Sequence, residues 1–590
     1  MGRAAEPVLG VARSLSGRFW EARNDDERLA QALSQRLALP EVVGRVLAGR
    51  GVGLDAAETF LAPRLRDHLP DPSALRDMDE AASRLARAIR TGERVAVFGD
   101  YDVDGATSSA LLKRFFAAVG GDLTLYIPDR LKEGYGPNAP ALLRLREAGI
   151  ALVVTVDCGT VAHAPLAAAA SAGLEMIVID HHLAEPELPQ ALAVVNPNRL
   201  DQAGGLGQLA AVGVAFLLVV AVNRTLRAEG WYGTRPEPDL RQWLDLVALG
   251  TVCDVVPLTG VNRALVGQGL KVMAGRANVG LAALADVAGL AEPPGAYHLG
   301  FLLGPRVNAG GRVGQADLGA RLLTTEDEGE AAELARALDQ LNAERREIEA
   351  AVQEQAFAQV AAAGPPGPVV IAAGEGWHPG VVGIVASRLK DHYRRPALVI
   401  ALADGIGRGS GRSVKGIDLG AAVTAARQAG LLINGGGHAM AAGLTIAAEN
   451  LAPLAEFLAG RIGPQGGDAA ARLGIDGVLA VGGATAELLD LLEQAGPYGA
   501  GHAEPRFVIA GARVVQPAAV GENHVRCLLL GADGARLKAI AFRARETALG
   551  EALFSRDGAS LLIAGALRAD HWRGERRVQF VIEDAAWSGR

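Results

Sequence analysis

Three carboxylates at alternate positions, Asp100, Asp102 and Asp104, follow the apolar run Val95-Ala96-Val97-Phe98-Gly99 and precede Gly105. The run has strand character, and Gly105 frees the backbone to turn into an Ala/Ser/Leu-rich helix from about Ala106. Side chains two apart on extended backbone project to one side, so the three acids can converge at a strand tip. Bare carboxylates that close raise one another's pKa, and a divalent cation is the simplest partner that neutralises them. The same pattern opens an EF-hand loop, but its twelfth position, where a bidentate Glu belongs, is Leu111, and the preceding segment is strand-like. A solvated acidic turn fits these residues alone equally well. The rest of the chain has to decide.

Asp157 follows Val153-Val154-Thr155-Val156 and precedes Cys158-Gly159, repeating the order strand, acid, glycine. Asp180-His181-His182 follows Ile177-Val178-Ile179, and imidazole beside carboxylate is a mixed ligand set suited to Mn, Mg, Zn or Fe. Asp254 is an isolated charge in the apolar run from Leu246 to Leu258; a buried carboxylate of that kind needs a cation, most simply the same one. Gly304-Pro305-Arg306-Val307-Asn308-Ala309-Gly310-Gly311-Arg312 reads as a glycine-rich turn with guanidinium groups suited to phosphate. Gly407 to Ser413, with Ser410 and Arg412, and Asn434 to Gly443, with His438, would let backbone N–H groups approach an anion. Neither is a Walker A or dinucleotide fingerprint.

These groups need a scaffold. Strands at 123–127, 152–156 and 176–179 alternate with helices at 139–148 and 161–172, which predicts a parallel sheet covered on both faces. Ligands in such sheets bind beyond the carboxyl ends of the strands, where Asp129, Arg130, Asp157 and Asp180-His181-His182 all fall. Ala210 to Arg227 reads as a helix. A long helix follows, opened by a capping box of Thr325 with Glu328 and carrying an apolar seam to Ala363; at about 1.5 Å per residue it spans roughly 50 Å. Gly364-Pro365-Pro366-Gly367-Pro368 ends it, and a second α/β lobe begins with a strand at Val369 to Ala372. Short alternating strands from Phe507 to Trp587 predict a small β-barrel. Residues 503–590 carry 13 Lys/Arg against 10 Asp/Glu, and His524, Arg526, His571, Trp572, Arg573, Arg576 and Arg577 could track a single strand by charge and stacking. The expected divisions are a helical lead-in (1–75), a catalytic domain (76–325), the connecting helix (326–363), a substrate-binding lobe (364–462), and a connector with the barrel (463–590).

At 590 residues the chain exceeds one core, and its net charge of −8 confines any polyanion to a local basic groove. The longest apolar run, Leu209 to Val222, is short of the ~20 residues that span a bilayer, and the N-terminus lacks a secretory pattern, so a cytoplasmic protein without membrane contact is expected. Three cysteines without a CxxC pair exclude a disulfide framework.

Gly99-Asp-Tyr-Asp-Val-Asp-Gly105, Pro128-Asp-Arg130 with Glu133-Gly-Tyr-Gly136, Thr155-Val-Asp-Cys-Gly159, Asp180-His-His182, Gly250-Thr-Val-Cys-Asp254, Gly304-Pro-Arg-Val-Asn-Ala309, Trp377-His-Pro-Gly-Val-Val-Gly-Ile384 and Gly436-Gly-His-Ala-Met-Ala-Ala-Gly443 occur in an order that resembles the bacterial single-strand-specific exonucleases of the DHH phosphoesterase superfamily. The resemblance covers nearly the whole chain from Trp20. It implies a parallel-sheet DHH domain and a smaller DHH-associated domain joined by a long helix, with an OB-fold that clamps single-stranded DNA. It also implies digestion from the 5′ end with release of 5′-mononucleotides, and Mn2+ or Mg2+, two ions, as cofactor. Carried over by motif, Asp102, Asp104, Asp157, His181 and Asp254 are the implied metal ligands, with Asp100, Asp157 and His182 as catalytic groups. Arg130, Tyr135, Arg306, Asn308, Ser410, Arg412 and His438 are the implied phosphate or DNA contacts. A monomer working with single-stranded-DNA-binding protein and a helicase, in DNA repair and recombination, is the matching expectation. The chain departs from the family at Ala211, Cys253, Gly310 and His502, none of them an implied ligand. The alternatives are a DHH phosphodiesterase for short oligonucleotides, cyclic dinucleotides or pyrophosphate, and a DNA-binding replication scaffold without activity.

Overall fold

The structure, a computed structural model, describes residues 6–588 except 131, 464–470, 556–560, 573 and 574, and leaves out the side chains of 571, 572 and 575. Arg573, the side chains of His571 and Trp572, and the break at 464–467 therefore lie outside the described residues. A short strand, β1 (Phe19–Ala22), opens the described chain, followed by α1 (Glu27–Leu37) and α2 (Glu41–Ala48).

The first lobe follows the expected alternation: α3 (Met78–Thr91), β2 (Val95–Gly99), α4 (Val103–Val119), β3 (Leu123–Tyr126), α5 (Ala139–Glu147), β4 (Leu152–Val156), α6 (His163–Ser171), β5 (Glu175–Ile179) and β6 (Ala193–Val195). All its pairings are parallel, in the order β3-β2-β4-β5-β6. Each strand feeds two cores by alternation. Val95, Val97, Val154 and Ile177 enter one apolar cluster, and Ala96, Phe98, Val153 and Val178 enter the other. Both faces are thus covered, as near-continuous apolar strands require. Helix α7 (Ala211–Ala228) is apolar and long enough to cross a bilayer by composition, but 72% of that window is buried, and it packs on α3 and α4 as a core helix. Helix α8 (Leu244–Cys253) packs beside it and ends at Asp254.

Two expectations need correction here. Helix α4 starts at Val103 with Asp102 as N-cap, not at Ala106, so the three acids do not alternate along a strand. Gly105 lies inside the helix, where a Cβ would sit 2.3 Å from the Asp100 carbonyl oxygen; close approach, not a turn, calls for glycine. Residues 304–313 form helix α9 (Gly304–Val313) rather than a turn, because its glycines pack a neighbour: a Cβ on Gly311 would lie 2.6 Å from the Tyr101 carbonyl oxygen.

Helix α10 (Glu328–Ala362) is the 35-residue bridge to the second lobe. Its N-cap is Asp327, which accepts from Glu330 N, while Thr325 bonds the Glu330 side chain, so the expected Thr325/Glu328 box is replaced. The second lobe holds β7 (Val370–Glu375), α11 (Val382–Tyr393), β8 (Ala397–Ala403), β9 (Ile406–Arg412), α12 (Leu419–Gln428), β10 (Asn434–His438) and β11 (Ala441–Ala447), ordered β10-β11-β9-β8-β7. Both glycine-rich stretches form strands; Ile400, Leu444 and Ile446 from adjacent strands fill the space beside Gly407 and Gly409 of β9, and Val423 and Leu432 that beside Gly435 of β10.

Strand β12 (Arg472–Ile475) pairs in parallel with β1, so the lead-in, expected to be helical, docks on the C-terminal part through a strand and the buried Trp20. After β13 (Gly477–Leu479) and α13 (Ala486–Gln494), β14 (Phe507–Val520), β15 (His524–Leu530), β16 (Arg536–Ala541), β17 (Leu561–Trp572) and β18 (Glu575–Trp587) close a barrel through β14–β17 pairing. Arg576, among the cations expected to track a strand, pairs at the surface with Asp490 and Glu493 of α13.

Candidate metal centre

Register aligns three strand tips. Gly99 pairs with Val156 and Val156 with Ile179, so the next residues, Asp100, Asp157 and Asp180, stand in a row along the carboxyl rim of the sheet. The row is held by ladder bonds from Asp100 N to Val156 O (3.2 Å), Asp157 N to Ile179 O (3.0 Å) and Asp180 N to Val195 O (3.2 Å). Asp157 has φ +60°, a left-handed conformation that a non-glycine residue adopts at a cost and that marks a functional position when the surroundings enforce it.

Three overlapping groups of ligand atoms meet above this rim, each within 4.8 Å: Asp100, Asp102 and Asp157; Asp157, His181 and His182; and Asp104, His181 and Asp254. His181 Nε2 lies 3.4 Å from Asp157 Oδ1, 3.6 Å from Asp254 Oδ2 and 4.0 Å from Asp104 Oδ2. Helix α8 carries Asp254 to the rim at its C-cap, and the first turn of α4 carries Asp104. Asp104 also caps α7, accepting from Ala211 N (2.6 Å) and Val212 N (2.9 Å). Asp100 Oδ1, Asp157 Oδ1, His181 Nε2 and Asp254 Oδ2 are buried without a hydrogen-bond partner. Such orphaned atoms in one cluster fit a cation with oxygen and nitrogen ligands.

The electrostatics agree. Burial and the Asp102 charge raise Asp100 and Asp157 well above the carboxylate range. Burial, with Asp102, pushes Asp104 up to about 7; burial, with Asp104 and Asp102, pushes Asp254 up to about 9. The protein alone penalises the charged forms, and divalent cations invert that preference. Burial and the neighbouring His182 hold His181 down to about 4, so it presents a neutral imidazole. Burial also works against charge on His182, but a 2.7 Å bond from Nδ1 to Asp180 Oδ1 raises its pKa. Burial raises the Cys158 and Cys253 thiols, which stay neutral and fill space beside the site.

The other expected contacts divide. Tyr135 donates from its hydroxyl to Asp157 O (3.1 Å) and its ring lies against His182. His438 brings the second lobe over the first, its ring 6.4 Å from His182 at 18°. Arg412 donates to Ser410 Oγ (2.9 Å) on β9, and its charge is felt against those of Arg130 and Arg312. Arg306 does not join this cluster: Asp339 takes its Nε (2.8 Å), and with Asn308 it lines a groove of about 590 Å³ between α9, α10 and α11. Asp180, read from the sequence as part of a mixed ligand set, accepts from Thr160, His181 and His182. Two residues escaped the sequence reading: Asn196 and Asn198 donate to the His182 and His181 carbonyl oxygens (2.8 and 2.5 Å). The signal was Ala193-Val194-Val195-Asn196, a further apolar run ending in a polar residue at the same rim.

Comparison with known proteins gives one family. Models described as the DHH family N-terminal domain, the DHHA1 domain and the RecJ OB domain match residues 94–251, 367–463 and 475–584. The single-stranded-DNA-specific exonuclease RecJ of Dickeya dadantii is 39% identical over 563 residues, 92% of this chain and 96% of the relative. That of Bacillus subtilis is 34% identical over 580 residues, 96% of this chain and 71% of the relative. The crystal structure of Thermus thermophilus RecJ in complex with Mn2+ superposes with a TM-score of 0.79 at 30% identity, covering 95% of this chain and 78% of that one. Its Mg2+ complex superposes at 0.73 with 28% identity.

Proposed function

Because the chain belongs to the RecJ family of single-stranded-DNA-specific exonucleases, we propose that it hydrolyses single-stranded DNA from the 5′ end at the rim of the first lobe. The observation that carries the site assignment is the cluster of orphaned carboxylate and imidazole atoms from four separate segments. Asp102, Asp104, Asp157, His181 and Asp254 would hold two divalent cations, Mn2+ or Mg2+, with Asp157 common to two of the groups. Bound there, the cations would lower the pKa of a water and offset charge on the phosphodiester.

The chain's own residues do the rest. Asp180 accepts a hydrogen bond from Nδ1–H of His182 and favours its imidazolium, which carries a proton on both nitrogens, so Nε2 can give its proton to the departing 3′-oxygen as the P–O bond breaks. Asp100 adds charge on the same side as Asp102. Tyr135 braces His182 from the Asp157 carbonyl. Arg130, Ser410, Arg412 and His438 hold phosphate, the first three at the strand's 5′ terminus; each cleavage leaves a new 5′-phosphate, so every product end fits the same pocket again. Arg306 and Asn308 contact the strand in the groove beside α10. The barrel extends the grip on longer strands. The protein acts as a monomer in the cytoplasm, on strands supplied by a helicase and shared with single-stranded-DNA-binding protein.

End-labelled single strands incubated with Mn2+, Mg2+ or chelator test this reading. Mononucleotides should leave from the 5′ end only with metal. Equal rates on a dinucleotide and a long strand would favour the small-substrate phosphodiesterase, and binding without cleavage would favour the scaffold.

A further inference from the structure

Tyr101 stands between Asp100 and Asp102 in the chain, half-buried, and none of the roles above uses it. The guanidinium carbon of Arg130 sits 5.1 Å from the centroid of its ring, and Tyr135 meets the ring edge-on at 6.5 Å and 78°. The backbone of Tyr101 is clamped from behind, because Gly311 of α9 approaches so closely that a Cβ there would lie 2.6 Å from the Tyr101 carbonyl oxygen and 3.2 Å from its Cβ. The base of the side chain is therefore fixed, and Tyr135 meets its ring from one edge.

Arg130 needs an anchor. Arg312 and Arg412 feel its charge as repulsion, as does His378. Asp100 feels its charge as attraction, but among the described residues no carboxylate lies within ion-pair distance of it. A long side chain beside three other basic groups and without a carboxylate in direct contact gains entropy by swinging into solvent, and each capture of a phosphate would then have to reverse that. An aromatic face opposes the swing: it attracts the cation and, with the guanidinium laid over it, leaves the in-plane N–H donors free for an anion.

We propose that Tyr101 is a positioning residue that holds the Arg130 guanidinium over its ring and thereby sets the preference for a 5′-phosphorylated strand end. The inference rests on the reading of Arg130 as a ligand of the terminal phosphate.

The readout is the ratio of kcat/KM for 5′-phosphorylated over 5′-hydroxyl strands, with Mn2+ affinity followed by calorimetry. Tyr101→Phe keeps the ring and should keep the ratio within about twofold. Tyr101→Leu should lower it roughly threefold to tenfold, through KM for the phosphorylated strand, with Mn2+ affinity unchanged. Phenylalanine carrying one, two or three fluorines at position 101 preserves shape while weakening the negative ring face, and should lower the ratio stepwise. A wild-type ratio in Tyr101→Leu, or no trend across the fluorinated series, overturns the proposal. Arg130→Gln separates the premise from the inference. If it keeps the phosphate preference, the reading of Arg130 fails and Tyr101 falls with it; if it loses the preference while Tyr101→Leu keeps it, only the Tyr101 role fails.

Discussion

Replacing Asp180 by Asn tests whether the tandem histidines are held from beneath. Asp180 Oδ1 accepts from His181 N (2.8 Å), His182 N (3.2 Å) and His182 Nδ1 (2.7 Å), and Oδ2 accepts from Thr160 N (3.0 Å). Asn has one acceptor oxygen. Turned to the histidines, it sets its amide donors against the Thr160 N–H, and a buried donor left unpaired costs about 1–3 kcal/mol. Turned the other way, it abandons three donors and costs more. The charge that favours protonated His182 also disappears. Asp180 holds the ligating His181 through its backbone N–H, and outer partners of a ligating histidine typically control roughly 10- to 100-fold in metal affinity, so Mn2+ binding should weaken towards that range. Excess Mn2+ should refill the site, because Asp102, Asp104, Asp157, His181 and Asp254 all keep their side chains, but turnover should stay below wild type, because His182 has lost the partner that favours its protonated form. Calorimetric titration with Mn2+, a melting curve and rates across a Mn2+ series measure the three effects. An Asp180→Asn protein with wild-type Mn2+ affinity and unchanged melting would refute the reasoning.

Asp157→Asn should abolish cleavage at any Mn2+ concentration while leaving oligonucleotide binding within about threefold, since that acid is shared by two ligand groups; turnover surviving in the variant would reject the shared assignment. Gly311→Ala should cost about 1–3 kcal/mol of stability and much of the activity, because its Cβ must displace the Tyr101 backbone beside Asp100 and Asp102; a fully active, equally stable variant counts against that contact. His502 is buried, bonds Ala495 O through Nε2 (2.8 Å), and is held down to about 4 by burial. Between pH 6.5 and 4 the unfolded chain takes a proton there that the folded chain refuses, so stability is lost as the pH is lowered through that window, by up to roughly 3 kcal/mol. His502→Asn should flatten that limb of the stability profile, whereas an identical slope in both proteins would contradict it.

The amino-acid order alone determined four of the five strands of the first sheet. Val95–Gly99, Leu152–Val156 and Met176–Ile179 are apolar runs each followed by an acid, and local backbone periodicity is what such runs encode. It also determined the long bridging helix, whose seam repeats at helical spacing. The resemblance supplied the ligand names. Tertiary structure decided which acids share a point: Asp104 and Asp254 reach His181 only because α4 and α8 pack against α7, and spacing along a chain carries no record of that. It decided that residues 304–313 are helical, since a close-packed neighbour outweighs the low helix propensity of glycine. It also took Arg306 into a pair with Asp339 and laid Arg130 on Tyr101. Hydrogen bonds within a few residues can be read from order, while contacts between distant segments exist only once burial of the intervening chain has brought them together.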